Sequence, residues 1–378
     1  MKIAVVSNDY HQSVPTVGYG GIETCIDNLM QGLQDFRWNC MPHIDLNTLT
    51  NDENLYKFFA VVPKRDGGPH RQLFTVYDTP SLPTSKQSPS NFIYDVRDIL
   101  KEKKPDVIWS QSHWSVEPLL ELNIPIICTF HDGLAQKQKG WMINDPRVKY
   151  RFISQFQYNT WVKEDWEKKA SFVAYTGLEQ DEYQLRDDER EYFLWVAGFA
   201  YGFQGKGLDD FIYLAQQNPS EKFVCYGSGN EQISNYLRQV SKGLKNFEFR
   251  GELKRGEEHR EAFRKAKAFL MLSKLPEALG RVSLEALSKG TPVIGTKYGA
   301  TPEIVGNCGV TSNNIKVLNK ALKMKFDHQA CFEYSKKFHV KNEIRALLKA
   351  SNYTYESHGW DNEILFQSEI DKHLNSPI

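Results

Sequence analysis

The stretch "LPEALGRVSLEALSKGTPVIGTKYGATPEIV", residues 275–305, follows an apolar run, "AFLMLS" at 268–273, and together they decide how the chain is read. The run reads as a strand. Glu277 falls in the turn that leaves it, and Glu285 follows inside an apolar stripe that reads as a helix opened by Gly280. At 3.6 residues per turn, an offset of eight residues rotates about 800°, roughly 80° past two turns, and rises about 12 Å. Two acids so placed are too far apart for a shared proton or a close catalytic carboxylate pair. They suit gripping two ends of one extended ligand.

The strand-then-helix unit recurs on both sides of this stretch. In the first half, strands are expected at 2–7, 106–111, 124–132, 151–154 and 172–177, with a helix marked by the spacing of Ile22, Ile26, Leu29, Met30 and Leu33. The segment "LEQDEYQLRDDERE", 178–191, is almost all charge and amide and reads as a linker. The alternation then restarts, with strands expected at 192–198, 222–227, 247–251, 268–273 and 291–296 and mixed helices from 310 onward. The fold class is therefore α/β, two doubly wound Rossmann-like domains facing across a cleft, an N-terminal one over 1–178 and a C-terminal one over 191–355. In such sheets ligands bind beyond the carboxyl ends of the strands.

Length and composition agree with two domains. A single core stops growing near roughly 250–300 residues, and this chain has 378. With 47 basic and 47 acidic residues the net charge is zero, so no global field holds a polyanion. The six cysteines are scattered without metal-like or C-x-x-C spacing, and several sit in apolar runs, which implies reduced thiols and a cytoplasmic setting. The apolar run that opens the chain is too short for a signal peptide or a membrane span. Any membrane contact is expected to be peripheral.

The loops that follow strands carry the chemistry. "VGYGGIE" places Gly18, Gly20 and Gly21 just before a helix, where backbone can approach a ligand and unpaired N–H groups can face a phosphate. A capped surface loop is the plainer reading. "TFHDG" places His131 at a strand end, where an imidazole can donate to or accept from a substrate hydroxyl, although a lone histidine is more often structural. In "FQGKGLDDF", Lys206 stands between Gly205 and Gly207 at a helix start, so point charge and helix dipole can act together on a diphosphate, unless it is an ordinary exposed turn lysine. Neither a dinucleotide fingerprint nor a Walker loop is matched.

Taken in order and spacing, "GYGGIE", "TFHDG", "GKG", "CYGSGNE", "FRGEL", the Glu277-to-Glu285 segment and "ALSKGTPVIGTKYGATPEIV" resemble the family 4 glycosyltransferases of GT-B fold. The resemblance is fullest over 192–305. It implies a retaining, metal-independent transfer of a hexosyl or pentosyl group from a nucleotide diphosphate sugar to a hydroxyl, with no cofactor and with UDP-sugar favoured over GDP-sugar as donor. It also implies that Glu277 holds donor-sugar hydroxyls, Glu285 the ribose hydroxyls, and the N–H groups of Leu279 and Gly280 the sugar. By the same resemblance Lys206 neutralises the leaving diphosphate, the loop around Arg250 and Gly251 borders the base, His131 lies near the reacting sugar, and Gly20 and Gly21 approach the donor.

The absence of any D-x-D agrees with a metal-free site. At one place the pattern departs: the family commonly carries an arginine directly after the glycine of "VAG", and here Phe199 follows, leaving Arg281 and Arg255 as candidates to replace that charge. An epimerase of the same fold and a catalytically silent nucleotide-sugar binder are the alternative functions; a phosphorylase would need a pyridoxal site, and none is evident. The acceptor is expected on the first domain. A glycan, a lipid headgroup or a hydroxylated DNA base could use the basic stretches at 62–72 and 135–141 and the aromatic residues Trp109, His113, Trp114 and Trp141. A C-terminal helix at about 356–378 is expected to pack back on the first domain.

Overall fold

The computed structural model describes residues 2–7, 21–39, 57–62, 75–78, 90–131, 141–186 and 189–356. Two parallel sheets form its frame. The first contains β1 (Lys2–Val6), β2 (Lys57–Val62), β3 (Thr75–Asp78), β4 (Val107–Ser110), β5 (Ile126–Phe130), β6 (Val148–Phe152) and β7 (Ser171–Val173), in the spatial order β3-β2-β1-β4-β5-β6-β7. The second contains β8 (Tyr192–Val196), β9 (Lys222–Tyr226), β10 (Phe247–Phe249), β11 (Ala266–Met271), β12 (Val293–Gly295) and β13 (Gly309–Thr311), in the order β10-β9-β8-β11-β12-β13. In both sheets the order reverses beside the first strand, between β1 and β4 and between β8 and β11. A reversal of this kind opens a crevice at the carboxyl ends, because the connecting helices on its two sides leave in opposite directions.

The strands expected from the sequence are present with shifted ends, and β2, β3 and β13 are additional. Their burial follows the two-residue period of a pleated strand. In β1, Ile3 and Val5 pack with Ile26, Leu29 and Leu33 of the helix Gly21–Asn39, whereas Ala4 and Val6 pack with Ile93, Val96 and Leu100 of the helix Ser90–Lys103 on the other face. The second sheet repeats this with Phe193 and Trp195 on one face and Tyr192 and Leu194 on the other. The segment read as a linker is partly docked. Leu178 is fully buried and bridges to His339, and Glu182 pairs with the buried Lys289.

After the second sheet the chain returns to the first. The helix Val340–Glu356 places Val340, Ile344, Leu347 and Leu348 in the same core as Ile3, Val5 and Trp109, and Trp109 Nε1 donates to Ser351 Oγ at 2.9 Å. A buried ion pair fixes its start: Arg151 Nη1 donates to Glu343 Oε1 at 2.7 Å, and Glu343 Oε2 accepts from the Gly177 N–H at 2.6 Å. Arg151 also donates from Nε to the Ala174 carbonyl and from Nη2 to the Thr176 hydroxyl, so each of its three nitrogens has a partner. The return thus begins before residue 356, and 357–378 lie outside the described residues. Among the described residues no helix is long and apolar enough to cross a membrane.

The Arg151–Glu343 pair generates a stability prediction. Arg151→Met leaves a buried carboxylate uncompensated and should cost about 3–5 kcal/mol, read from urea unfolding, whereas Arg151→Met with Glu343→Leu should recover most of the loss. Equal destabilisation by the single and double variants would show that packing volume, not charge, holds this helix.

Candidate functional site

A cleft of about 550 Å³ lies between the domains at these carboxyl ends, a size ordinary for a small-molecule site. The first domain contributes Cys25, His131 and Ile153; most of the remaining wall comes from the loops that follow β8, β10 and β11. His131, Lys206, Glu277, Leu279, Gly280, Arg281 and Glu285 all line it.

Glu277 and Lys206 form an ion pair, with Nζ 2.5 Å from Oε1 and both side chains largely enclosed. Backbone geometry brings them together. Lys206 is held by a turn in which Gly207 has φ +72°, and a Cβ there would lie 2.0 Å from the Leu272 carbonyl oxygen, so only glycine admits the close approach. On the other side Gly299, at φ +68°, leaves room for the Glu277 backbone; a Cβ there would sit 2.2 Å from the Glu277 nitrogen. The Ala300 N–H donates to the Glu277 carbonyl at 2.8 Å and completes the support. Tyr201, exposed at the cleft mouth, places its ring 5.1 Å from Lys206 Nζ.

Glu285 lies deeper, on the short helix Arg281–Leu287. Arg281 Nε donates to its Oε1 at 3.0 Å, and His259 Nε2 stands 3.3 Å from its Oε2. Burial would push this carboxyl up, but His259, Arg281 and Arg255 outweigh it and hold Glu285 well below the usual carboxylate range. Arg281 continues across the cleft: its Nη1 lies 3.9 Å from Cys25 Sγ, and Asn28, its amide oriented to suit both ends, accepts from Nη2 at 2.8 Å. Arg255 bonds Thr24 Oγ1 on the same helix of the first domain. His131 follows β5, with Nε2 2.9 Å from Gln111 Oε1. Burial, with the Arg151 charge adding to it, pushes the imidazole down to about 3. At neutral pH the ring therefore holds one N–H and one lone pair.

Other expected residues stand elsewhere. Arg250 does not line the cleft; it is clamped by Glu248 at 2.8 and 3.0 Å, donates to Tyr226 Oη at 3.3 Å, and lies over the Tyr192 ring. From that loop Glu252 and Leu253 reach the cleft instead, while the Gly251 carbonyl accepts from the Gly227 N–H. Gly205 flanks Lys206 and accepts from the Lys274 N–H at 3.0 Å. Gly21 is the first residue of the Gly21–Asn39 helix, and Gly18, Gly20 and the stretch 132–140 lie outside the described residues.

Phe199 is buried in the second domain's core beside Trp195, Phe249 and Gly227, not at the cleft, whereas Arg255 and Arg281 both line it. Among the described side chains, the aromatic residues considered for stacking on an acceptor are taken up by packing, while the side chain of Trp114 and the basic stretch 63–72 lie outside the described residues. Trp109 is fully buried and bonded to Ser351, and Trp141 packs on His113 and Trp161 at 4.3 and 5.0 Å. A sequence rich in aromatic residues does not say which are core, and here packing claimed these. His259 is the contact that sequence reasoning missed: its helix, Glu257–Arg264, reads as a plain amphipathic surface helix, and nothing local marks this position.

Residues 190–324 match the family described as "Glycosyl transferases group 1". Among curated proteins no sequence match is found. Solved structures match over nearly the whole chain at low identity. AviGT4, a glycosyltransferase involved in avilamycin A biosynthesis, superposes with TM-score 0.67 at 18% identity, covering 94% of this chain and 98% of that one. Sucrose-phosphate synthase from Thermosynechococcus elongatus gives 0.67 at 15%, covering 95% and 100%. Anabaena HepE in complex with UDP and glucose gives 0.63 at 16%, covering 93% and 100%. The fold is therefore GT-B, and the second domain carries the group 1 pattern.

The histidines make stability pH-dependent. His113, His131 and His339 are pushed down to about 4, 3 and 4, in each case first by burial. Between these values and the ordinary one near 6.5, the unfolded chain binds more protons than the folded chain, so stability is lost as pH falls through that window, by up to about 1.4 kcal/mol per pH unit for each group. The melting temperature should fall between pH 7 and pH 5, and less steeply in His113→Phe, which keeps a ring between Phe130 and Trp141. A flat profile, or an unchanged slope in the variant, would contradict this assignment.

Proposed function

We propose that this chain is a retaining glycosyltransferase that moves a sugar from a nucleotide diphosphate sugar, UDP-linked in preference to GDP-linked, to a hydroxyl acceptor. The observation that carries the reading is the Lys206–Glu277 pair at the crevice of the second sheet, beside the ionised Glu285. In this reading the one cation serves the diphosphate and the two carboxylates the sugar and the ribose of one extended ligand. The group 1 match over 190–324 and the neighbour solved with UDP and glucose support the same reading. The chain's own arginines, Arg255 and Arg281, line the cleft although Phe199 does not, which supports a working donor site over a silent one.

In this reading Glu277 accepts from donor-sugar hydroxyls, the N–H groups of Leu279 and Gly280 face the sugar, and Glu285 accepts from the ribose. The bond from the anomeric carbon to the diphosphate oxygen breaks. The acceptor oxygen bonds to that carbon on the same face, and its proton passes to the departing phosphate oxygen. Negative charge grows on the diphosphate, and Lys206 stabilises it in an enclosed site where a fixed charge acts strongly. No strong side-chain base is needed, which agrees with a neutral, weakly basic His131 that donates or accepts a single hydrogen bond to the reacting sugar. The positive field comes from the chain itself, so the transfer is expected to proceed without a metal. The acceptor, whether glycan, lipid or modified nucleobase, enters from the first domain, and closure of the lobes brings the two reactants together and expels water.

Two measurements test this. UDP, GDP or ADP at about 100 times its Kd adds roughly 2.7 kcal/mol, so one nucleotide family should raise the melting temperature by several degrees, unchanged by EDTA. With the matching sugar donor, Lys206→Ala and Glu277→Ala should each lower turnover by about 100-fold or more, while Glu285→Ala should chiefly weaken donor binding, by about tenfold or more. Wild-type turnover in the first two variants would sink the assignment of the site.

A further inference from the structure

Glu303, on the helix Thr301–Val305, does not line the cleft, yet it lies on a short path between the two halves of the site. Its Oε1 accepts from the Gln155 N–H at 2.7 Å and its Oε2 from the Phe156 N–H at 2.9 Å, at the start of the first-domain helix Gln155–Trp161. The next N–H of that turn, from Gln157, is met within the first domain by Ser154 Oγ at 3.1 Å. Two carboxylate oxygens on two adjacent N–H groups fix orientation as well as distance, and a negative charge at a helix start is favoured by the dipole.

From this contact hydrogen bonds run both ways. In the second domain, Ala300 stands just before the Glu303 helix, and its N–H holds the Glu277 carbonyl at 2.8 Å; Gly299 pairs with Glu277 in an isolated bridge. In the first domain, the buried Gln157 side chain accepts from the Ile153 N–H at 2.9 Å and donates to the Phe130 carbonyl at 3.2 Å. Ile153 lines the cleft, and Phe130 directly precedes His131. The contacts of Arg255 and Arg281 across the cleft bear on a different helix, Gly21–Asn39, whereas Glu303 bears on the ends of β5 and β6. We propose that Glu303 is a positioning residue for the transfer: by gripping the helix Gln155–Trp161 it sets the spacing between Glu277 and His131, and so between the donor sugar and the wall from which the acceptor arrives. This rests on the donor reading above. Misplacing reacting groups by about 1 Å can cost about 100-fold in rate, while the nucleotide, held by the second domain, keeps its own contacts.

Two measurements on the full chain test it. The first, amide hydrogen exchange, needs no ligand. In Glu303→Ala, residues 153–157 and 128–131 should both exchange about tenfold faster or more, while 107–110 in β4 keep their protection. Faster exchange confined to 153–157 would end the path at the helix and overturn the inference. The second follows nucleotide release from UDP-, GDP- and ADP-glucose with water as the acceptor, beside calorimetry with each free diphosphate. Glu303→Ala should lower the rate at saturating donor by about tenfold or more and leave the Kd of the diphosphate within about twofold. Glu303→Gln, which keeps one accepting oxygen, should recover part of the rate. In a His131→Ala background the same Glu303→Ala change should cost little further, since the two act through one spacing. A wild-type rate in Glu303→Ala, or full additivity with His131→Ala, would sink the inference while the donor reading stands. Equal loss of rate and nucleotide affinity with a lowered melting temperature would make Glu303 a support of the fold alone, and the inference would also fail. If the wild type binds none of the three diphosphates, the donor reading itself falls and takes this inference with it.

Discussion

A carboxylate taken out of water must be neutralised, and the neutralisation of Glu285 organises the cleft. Left alone in that position it would cost several kcal/mol or take up a proton. Instead Arg281 from its own helix and His259 from a neighbouring helix meet its two oxygens, and the combined positive field keeps it charged. The same Arg281 reaches Asn28 and Cys25 on the first helix of the other domain. One buried acid thereby links the floor of the site to the opposite wall.

The parallel sheets explain why this chemistry collects in one place. Each strand order reverses beside its first strand, so loops from strands distant in sequence converge at one edge. Lys206 follows β8 and Glu277 follows β11, 71 residues apart in sequence, yet they share an ion pair. Their closeness depends on backbone contact at Gly207 and Gly299 as much as on charge, since a side chain at either position would push the partner loop away.

The two domains are joined by more than the cleft. The return of the Val340–Glu356 helix buries apolar side chains against β1 and β4, and the Arg151–Glu343 pair fixes its entry. Glu303 of the second domain accepts the backbone N–H groups of Gln155 and Phe156 at 2.7 and 2.9 Å, capping a first-domain helix from outside. Capping satisfies helix-end donors that would otherwise need water. These contacts position the lobes so that Arg255 and Arg281 can reach across, and motion between the lobes must trade against them.

Strand-helix alternation, the restart after the charged segment near 178–191, the placement of Lys206, Glu277 and His131 in loops after strands, and that of Glu285 on the helix that follows were all legible in the sequence, because hydrophobic period and turn residues act locally. Partnership was not. That Arg250 is spent on Glu248, that Trp109 and Trp141 are core, that His259 meets Glu285, and that Phe199 points inward while Arg255 does not, are outcomes of which surfaces pack together. Local pattern states what a residue can do. Only the packed structure determines which charge is neutralised, by what and how completely, because electrostatic energy depends on distance and burial rather than on position in the chain.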